Sequence, residues 1–440
     1  MARTDSSQTY ALFLPSRYAP DRRWPLLLVL DPRGRALLPL ERFRASAERF
    51  GWIVMSSYNT RSDTSEDPNV AALTAMVEDA NDLLTVDPRR VYLAGFSGTA
   101  RVAWVIAQQM GDQVAGLLGF GAGLPGLHVL PYLAEGSRER RLAYFGGAGR
   151  TDFNYDELHE LDGALDRLPV DHRIVYFPGP HAWPPEEVMA MGLAYMELHA
   201  MQAGLRGVNP ELVETLYAED LGAARRLQQG GWLLEAHSLL ESIGRDYRNL
   251  REIPAARRLA AEITGSSAYV GAAEQATALR EEAERYRVSF AGLLDEYDRK
   301  KKPPRLERSL ERLKIGQLRE RASGEDPRDA LAARRLLATV LTQSSFYKPG
   351  DYMASGQPEK AAAMLAIARA IRPDSGRICL QLARARAEAG QTAEAVSALR
   401  CALEKGALTE AALAQDSSFD RIRDLPEVRH LLEEPSPPRP

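Results

Sequence analysis

Cysteine is nearly absent: the 440-residue chain holds two, Cys379 and Cys401, both far downstream. Two thiols make neither a disulfide framework nor a zinc site, so they are expected as half-buried helix thiols, with no metal bound. No apolar run approaches the roughly 20 residues that span a bilayer; the longest strand-like run covers 26–30. The N-terminus, MARTDSSQTY, lacks the apolar core of a signal peptide. A cytoplasmic chain is expected unless a leader was removed, which would make it periplasmic or secreted, so the compartment stays open. An excess of one charge is missing too: 56 Lys and Arg stand against 60 Asp and Glu, a net of −4. There is no overall electrostatic draw to nucleic acid. Neither nucleic acid nor a membrane is expected as a partner. What is present is ordinary globular composition, 45% hydrophobic and 26% charged. The length predicts two or three domains.

Two textures divide the chain. Residues 9–183 alternate β-rich runs (10–14, 26–30, 52–57, 91–95, 115–120, 142–145 and 173–177) with helical stretches. Several runs, such as PLLLVL and RIVYF, are almost wholly apolar, as in strands buried on both faces. Alternation of this kind predicts a mostly parallel sheet covered by helices. Beyond about Gly204 the chain is rich in Ala, Leu, Glu and Arg at helical spacing, so a second, all-helical part is expected. The expected division is 1–205, 206–345 and 346–440.

One repeat is readable. GQPEKAAAMLAIARAIRPD begins at Gly356 and GQTAEAVSALRCALEKG at Gly390, 34 residues later. Over roughly 345–405 this segment resembles tetratricopeptide repeats. GGWLLEAHSLLESIGRDY, from Gly230, reads as a degenerate copy whose buried stripe is Trp232, Leu233, Ala236 and Leu239. Stacked repeats of this kind present a concave surface for a protein or peptide partner; a homo-oligomer stays open. Residues 299–321 carry ten Lys or Arg and three Asp or Glu, read as a solvated helix face rather than a site for an anion.

The most informative stretch is RRVYLAGFSGTARVAWVIAQQM, residues 89–110. A strand runs into Gly95-Phe96-Ser97-Gly98-Thr99 and then a helix, the layout of a G-x-S-x-G nucleophile elbow. The tight turn needs small neighbours, and Gly95 and Gly98 supply them. Ser97 then stands at a helix N-terminus, where free N–H groups favour negative charge. Thr99 departs from the pattern, since glycine is usual there.

Such a serine needs an acid after a later strand and a histidine after the last one. Asp152 follows the run 142–145 in GGAGRTDFNYDEL; Asp156 is its rival, and a helix N-cap is the structural alternative for Asp152. Of the seven histidines, His181 in FPGPHAWPPEEVM follows the final strand. His172 precedes that strand, His128 comes before the acid, His159 and His199 lie on helices, and His237 and His430 fall in the helical part. The order Ser97, Asp152, His181 predicts catalytic acyl transfer with an acyl-enzyme. The oxyanion hole is expected from the N–H of Gly98 and that of Arg33, with Gly34 next, in the loop DPRGR.

On YALFLPSRY, PLLLVLDPRG, GFSGT, GRTDFN and PHAW, residues 9–203 resemble a compact α/β hydrolase, closest to bacterial carboxylesterases of the polyhydroxybutyrate-depolymerase and feruloyl-esterase kind. The resemblance implies ester hydrolysis without cofactors, on a small-molecule or polymer ester. Thr99 and DPRGR, in place of an HG-type loop, are its departures. Between Gly123 and Leu142 only a short helix (LHVLPYLAEG) fits, so an open cleft is expected. Phe96, Phe153 and Trp183 flank the three candidates and stand as an aromatic substrate wall or as core; Tyr58, with Asn59 and Arg61, lies at the same edge as a further substrate-binding candidate. The competing readings are a non-enzymatic repeat protein with a degenerate hydrolase domain, and a serine peptidase of the same fold.

Overall fold

The computed structural model describes residues 1–63, 68–126, 142–168 and 170–433. The expected short helix LHVLPYLAEG, with His128, lies outside these residues. Among the described residues a seven-stranded sheet is built from β1 (Tyr10–Phe13), β2 (Trp24–Leu30), β3 (Ile53–Ser57), β4 (Val86–Phe96), β5 (Gly116–Phe120), β6 (Leu142–Gly149) and β7 (Val170–Phe177). The spatial order is β1-β3-β2-β4-β5-β6-β7. Every neighbouring pair is parallel except β1 with β3. His172, expected just before the last strand, lies within β7 and is buried.

Sequence explains the sheet. Every residue of β2 (WPLLLVL) is buried, because helices cover both faces. Its side chains alternate between two cores: Leu26, Leu28 and Leu30 meet Trp104 and Tyr144, while Leu27 and Val29 meet Phe43, Trp52 and Phe145. Pro25 has no N–H to give, and the β2–β4 register shifts between Trp24 and Leu26. The covering helices are α1 (Leu37–Phe50), α2 (Asn69–Leu83), α3 (Gly98–Met110), α4 (Tyr155–Leu165) and α5 (Glu186–Gln202). After β2 the chain moves to β3 on one side, and after β4 to β5 on the other. This reversal opens a crevice at the C-terminal ends of β2 and β4, where open α/β sheets hold their ligands.

The chain divides into compact units at Met1–Gln275 and Ala276–Pro440, not near residue 205 as expected. The reason lies in α6 (Pro210–Gln229), α7 (Leu233–Asp246) and α8 (Pro254–Thr264). Their apolar faces (Leu216, Leu239, Ile243, Leu259) close on Leu198 and Met201 of α5. A charge network joins them to the sheet. Arg173 of β7, buried, gives two 2.9 Å hydrogen bonds to Asp220 of α6 and one of 2.8 Å to Asp246 of α7. The Tyr247 hydroxyl donates to Asp220 at 2.9 Å. Burial pushes the Asp246 carboxyl above its usual value, against the pull of Arg173. α7 packs against β7, and the Arg245 guanidinium reaches the His172 carbonyl at 3.5 Å.

The second unit is helical: α9 (Ser267–Arg299), which begins in the first unit, then α10 (Leu306–Arg312), α11 (Ile315–Ala322), α12 (Pro327–Thr342), α13 (Lys348–Ala354), α14 (Pro358–Ile371), α15 (Gly376–Glu388), α16 (Thr392–Glu404), α17 (Glu410–Gln415) and α18 (Pro426–Glu433). The two cysteines are not free thiols. Cys379 of α15 and Cys401 of α16 form a disulfide inside the core of this unit. Acids flank the basic run as pairing partners: Glu296 meets Lys300 and Arg312, and Arg321 meets Glu282 and Asp329.

The same turn recurs at Gly231, Gly356 and Gly390, with φ of 78°, 67° and 72°. At each, the glycine N–H and the next N–H bond back to carbonyls of the preceding helix, and a new helix starts after one further residue. Left-handed backbone requires glycine here, and the bonds satisfy the helix's last carbonyls. The degenerate copy thus aligns on Gly231 rather than Gly230. Ala236 and Leu239 of its expected stripe are buried; Trp232 and Leu233 are half-buried.

Arg173→Met leaves Asp220 and Asp246 buried without their cation. It is expected to lower the unfolding free energy of the first unit by about 3–5 kcal/mol, read by chemical denaturation, as breaking one side of a buried ion pair does.

Candidate active site

Ser97 sits between β4 and α3 with φ 54° and ψ −129°, a backbone conformation that L-residues avoid. Three features hold it there. Its N–H donates to the Phe120 carbonyl of β5 at 2.8 Å. A Cβ on Gly95 would lie 2.5 Å from the Thr99 carbonyl, and one on Gly98 would lie 2.4 Å from Cβ of Ser62, so neither position admits a side chain. The third feature is Thr99 itself, fully buried. Its hydroxyl lies 2.6 Å from the Leu30 carbonyl and 2.9 Å from that of Phe96, and it accepts from the Phe96 N–H at 3.2 Å. The departure from the glycine pattern is a clamp tying the elbow to the end of β2.

The structure brings the three dispersed candidates together. His181 Nε2 is 2.9 Å from Ser97 Oγ. His181 Nδ1 is 2.9 Å from both carboxylate oxygens of Asp152. Asp152 is fully buried just past β6, and its Oδ1 also accepts the Asn154 N–H at 2.8 Å. The cap position of α4 is Asn154, and Asp156 lies in the first turn of that helix. The Asn154 amide donates to the Gly121 carbonyl at 2.7 Å, tying the acid loop to the end of β5. With Nδ1–H donated to the carboxylate, Nε2 is left as an acceptor for the serine proton.

Around this core the expected roles shift. Arg33 and Gly34 do not offer free amides. The Arg33 N–H donates to Asp31 Oδ1 at 2.8 Å, and the Gly34 N–H to the Asp31 carbonyl at 3.1 Å. Asp31 is fully buried, and a buried carboxylate gathers donors. Arg35 is drawn in as well, with its N–H, Nε and Nη2 all on Asp31 at 2.8–3.1 Å. Burial pushes the Asp31 carboxyl up, but the bonds from Arg35, Trp183 and Arg33 outweigh it and hold it below the usual range. Gly98 opens α3, and its N–H is among the first-turn amides that lack an intrahelical acceptor.

The aromatic candidates separate too. Phe96 and Trp183, 5% and 4% exposed, are core rather than the wall of a cleft. Phe96 packs at 4.6 Å from the imidazole and Trp183 at 5.5 Å from Phe96. Phe153 is half-buried with its ring 4.3 Å from His181. Tyr58 is 37% exposed, in the loop after β3 that reaches the elbow through Ser62. Asn59 and Arg61 are occupied within the fold. Asn59 bonds Thr9 and Ser7, and the Arg61 guanidinium bonds the carbonyls of Tyr58 and Thr60.

Over somewhat less than half of its length the chain is similar to solved esterase structures. S-formylglutathione hydrolase of Staphylococcus aureus shares 12% identity with a TM-score of 0.36, covering 44% of this chain and 96% of its own. A carboxylesterase of Bacillus cereus shares 15% at 0.33, covering 45% and 97%. A ferulic acid esterase shares 18% at 0.34, covering 42% and 88%. No family model and no curated protein matches the chain. The chemistry of the site is therefore read from its own geometry. Among the described residues no group of three or more His, Cys, Asp and Glu could hold a metal ion, and no helix is long and apolar enough to cross a membrane.

Thr99→Val keeps the volume but removes the hydroxyl that bonds the Leu30 and Phe96 carbonyls and accepts the Phe96 N–H. It is expected to cost about 1–3 kcal/mol in denaturant unfolding, while Thr99→Ser stays near the parent.

Proposed function

We propose that this chain is a serine hydrolase cleaving carboxylic esters, with Ser97 as nucleophile, His181 as general base and acid, and Asp152 orienting the imidazole. The observation that carries this reading is the unbroken hydrogen-bond chain Ser97–His181–Asp152 at a strained strand-to-helix elbow. His181 Nε2 takes the Ser97 proton as Oγ attacks the ester carbonyl, and buried Asp152 stabilises the imidazolium that forms. The Gly98 N–H and the N-terminal turn of α3 face the developing oxyanion. The imidazolium then gives its proton to the leaving alcohol. An acyl-enzyme remains, and water activated by the same histidine hydrolyses it. The strain at Ser97 keeps the oxygen clear of its own backbone. Thr99, although it departs from the glycine pattern, is built into the elbow by its hydrogen bonds and does not speak for a degenerate, inactive domain.

The substrate is proposed to be a carboxylic ester without a cofactor. Phe153 and Tyr58 are the candidate contacts that remain after Phe96 and Trp183 are placed in the core. For the helical part we infer tetratricopeptide-like repeats, supported by the 34-residue offset and the shared turn at Gly356 and Gly390. Their proposed role is to bind a protein or peptide partner.

Ser97→Ala is expected to abolish p-nitrophenyl ester hydrolysis and labelling by a fluorophosphonate probe, with the circular-dichroism spectrum unchanged. Asp152→Asn should lower kcat by about 10⁴-fold, since the imidazole then takes the wrong tautomer. A Ser97→Ala protein that turns over esters at the parental rate would overturn the assignment. Matched ester and amide substrates separate an esterase from a peptidase using the same three residues.

A further inference from the structure

We propose that Asp31 is a positioning residue for this reaction, a buried carboxylate that holds the loop after β2 and the histidine loop in one fixed relation. The proposal rests on the serine-hydrolase reading above. Asp31 sits at the C-terminal end of β2, in the crevice where the strand order reverses and beside the elbow, since Leu30 pairs with Gly95. Its Oδ1 accepts the N–H groups of Arg33 and Arg35 at 2.8 and 3.0 Å, with Arg35 Nε at 3.1 Å. Its Oδ2 accepts Arg35 Nη2 and the indole N–H of Trp183, both at 2.8 Å. Every one of these partners is a donor. A charged acceptor makes such bonds shorter and stronger, and an amide in its place would turn an NH₂ toward one set of them.

Trp183 converts this anchor into a position for the base. Only Ala182 separates it from His181. Its ring packs on Phe96 at 5.5 Å and on Phe120 at 5.9 Å, and Phe96 in turn packs on the imidazole at 4.6 Å. Asp152 fixes the Nδ1 side of the histidine. The Asp31–Trp183 bond fixes the loop that carries it, against a ring that belongs to the elbow. Asp31 holds the third loop as well, because its carbonyl accepts the Thr60 hydroxyl at 2.8 Å. A one-ångström drift of Nε2 from Ser97 Oγ is the kind of misplacement that costs about 10²-fold in rate.

The test uses the full chain and p-nitrophenyl acetate, comparing the parent with Asp31→Asn, Trp183→Phe and the double variant. Each single change is expected to lower kcat about 10- to 100-fold with KM within about twofold, because alignment is lost and ground-state binding is not. The double variant should be no slower than the slower single one, since both changes cut the same link. Folding is checked by circular dichroism and thermal unfolding. If Asp31→Asn does not fold, Trp183→Phe decides, as it leaves the carboxylate and its amide donors in place. Folded single variants at the parental kcat, or losses that multiply in the double variant, overturn the proposal while leaving the esterase reading intact. A parent that neither hydrolyses the ester nor takes a fluorophosphonate label removes that reading, and the proposal with it.

Discussion

A strand of eleven residues has to become a helix across one side chain, and that constraint organises the site. Ser97 takes the strained turn because the groups around it permit no other path: Gly95 and Gly98 have no room for a Cβ, and the Phe120 carbonyl holds its N–H. Thr99 adds a hydroxyl that links the elbow to the end of β2. The strain thereby fixes the oxygen at the rim of the sheet, in reach of loops that leave other strands at the same edge. The histidine and the carboxylate need only follow β7 and β6 to meet it.

Buried charge does the joining. Asp152, Asp31 and Glu197 are all fully buried, and Arg173 nearly so. An isolated ion in such places would cost several kcal/mol, so each is surrounded by partners from distant parts of the chain. Asp31 meets Trp183; Glu197 of α5 accepts the Trp52 indole at 2.6 Å and meets Arg90 and Arg206; Arg173 meets two helices beyond the sheet. Each network sits where elements far apart in sequence converge. Unlike apolar packing, it tolerates no slippage, because a displaced partner leaves a charge uncompensated.

Much of this was legible in the sequence. Strands buried on both faces announce themselves as apolar runs, and β2 was readable from PLLLVL alone. The serine, acid and histidine were readable because chain order relative to the strands restricts each to one loop. What escaped was pairing at long range. Asp31 and Trp183 lie 152 residues apart, and Arg173 lies 47 and 73 residues from its two acids. No local pattern marks an aspartate after a strand as an acceptor for a distant indole, so the Arg33 amide was assigned to the oxyanion although it serves Asp31. The same blindness placed the division near residue 205, since the Arg173 network and the apolar seam behind it, which help tie α6 to α8 to the sheet, join residues far apart in the chain. The cysteine pair was missed because 22 residues of separation say nothing about two helices lying side by side.

The last strand of an open sheet carries a row of outward backbone groups, an invitation for a foreign chain to add itself as a further strand. Here α7 lies against β7, pinned by Arg173 to Asp246, and the Arg245 guanidinium occupies the His172 carbonyl. The helices that a boundary at residue 205 would have cut away therefore guard the sheet against edge-to-edge growth. A version of the chain trimmed at that point would be prone to fibrous self-association, even with Ser97, Asp152 and His181 all in place.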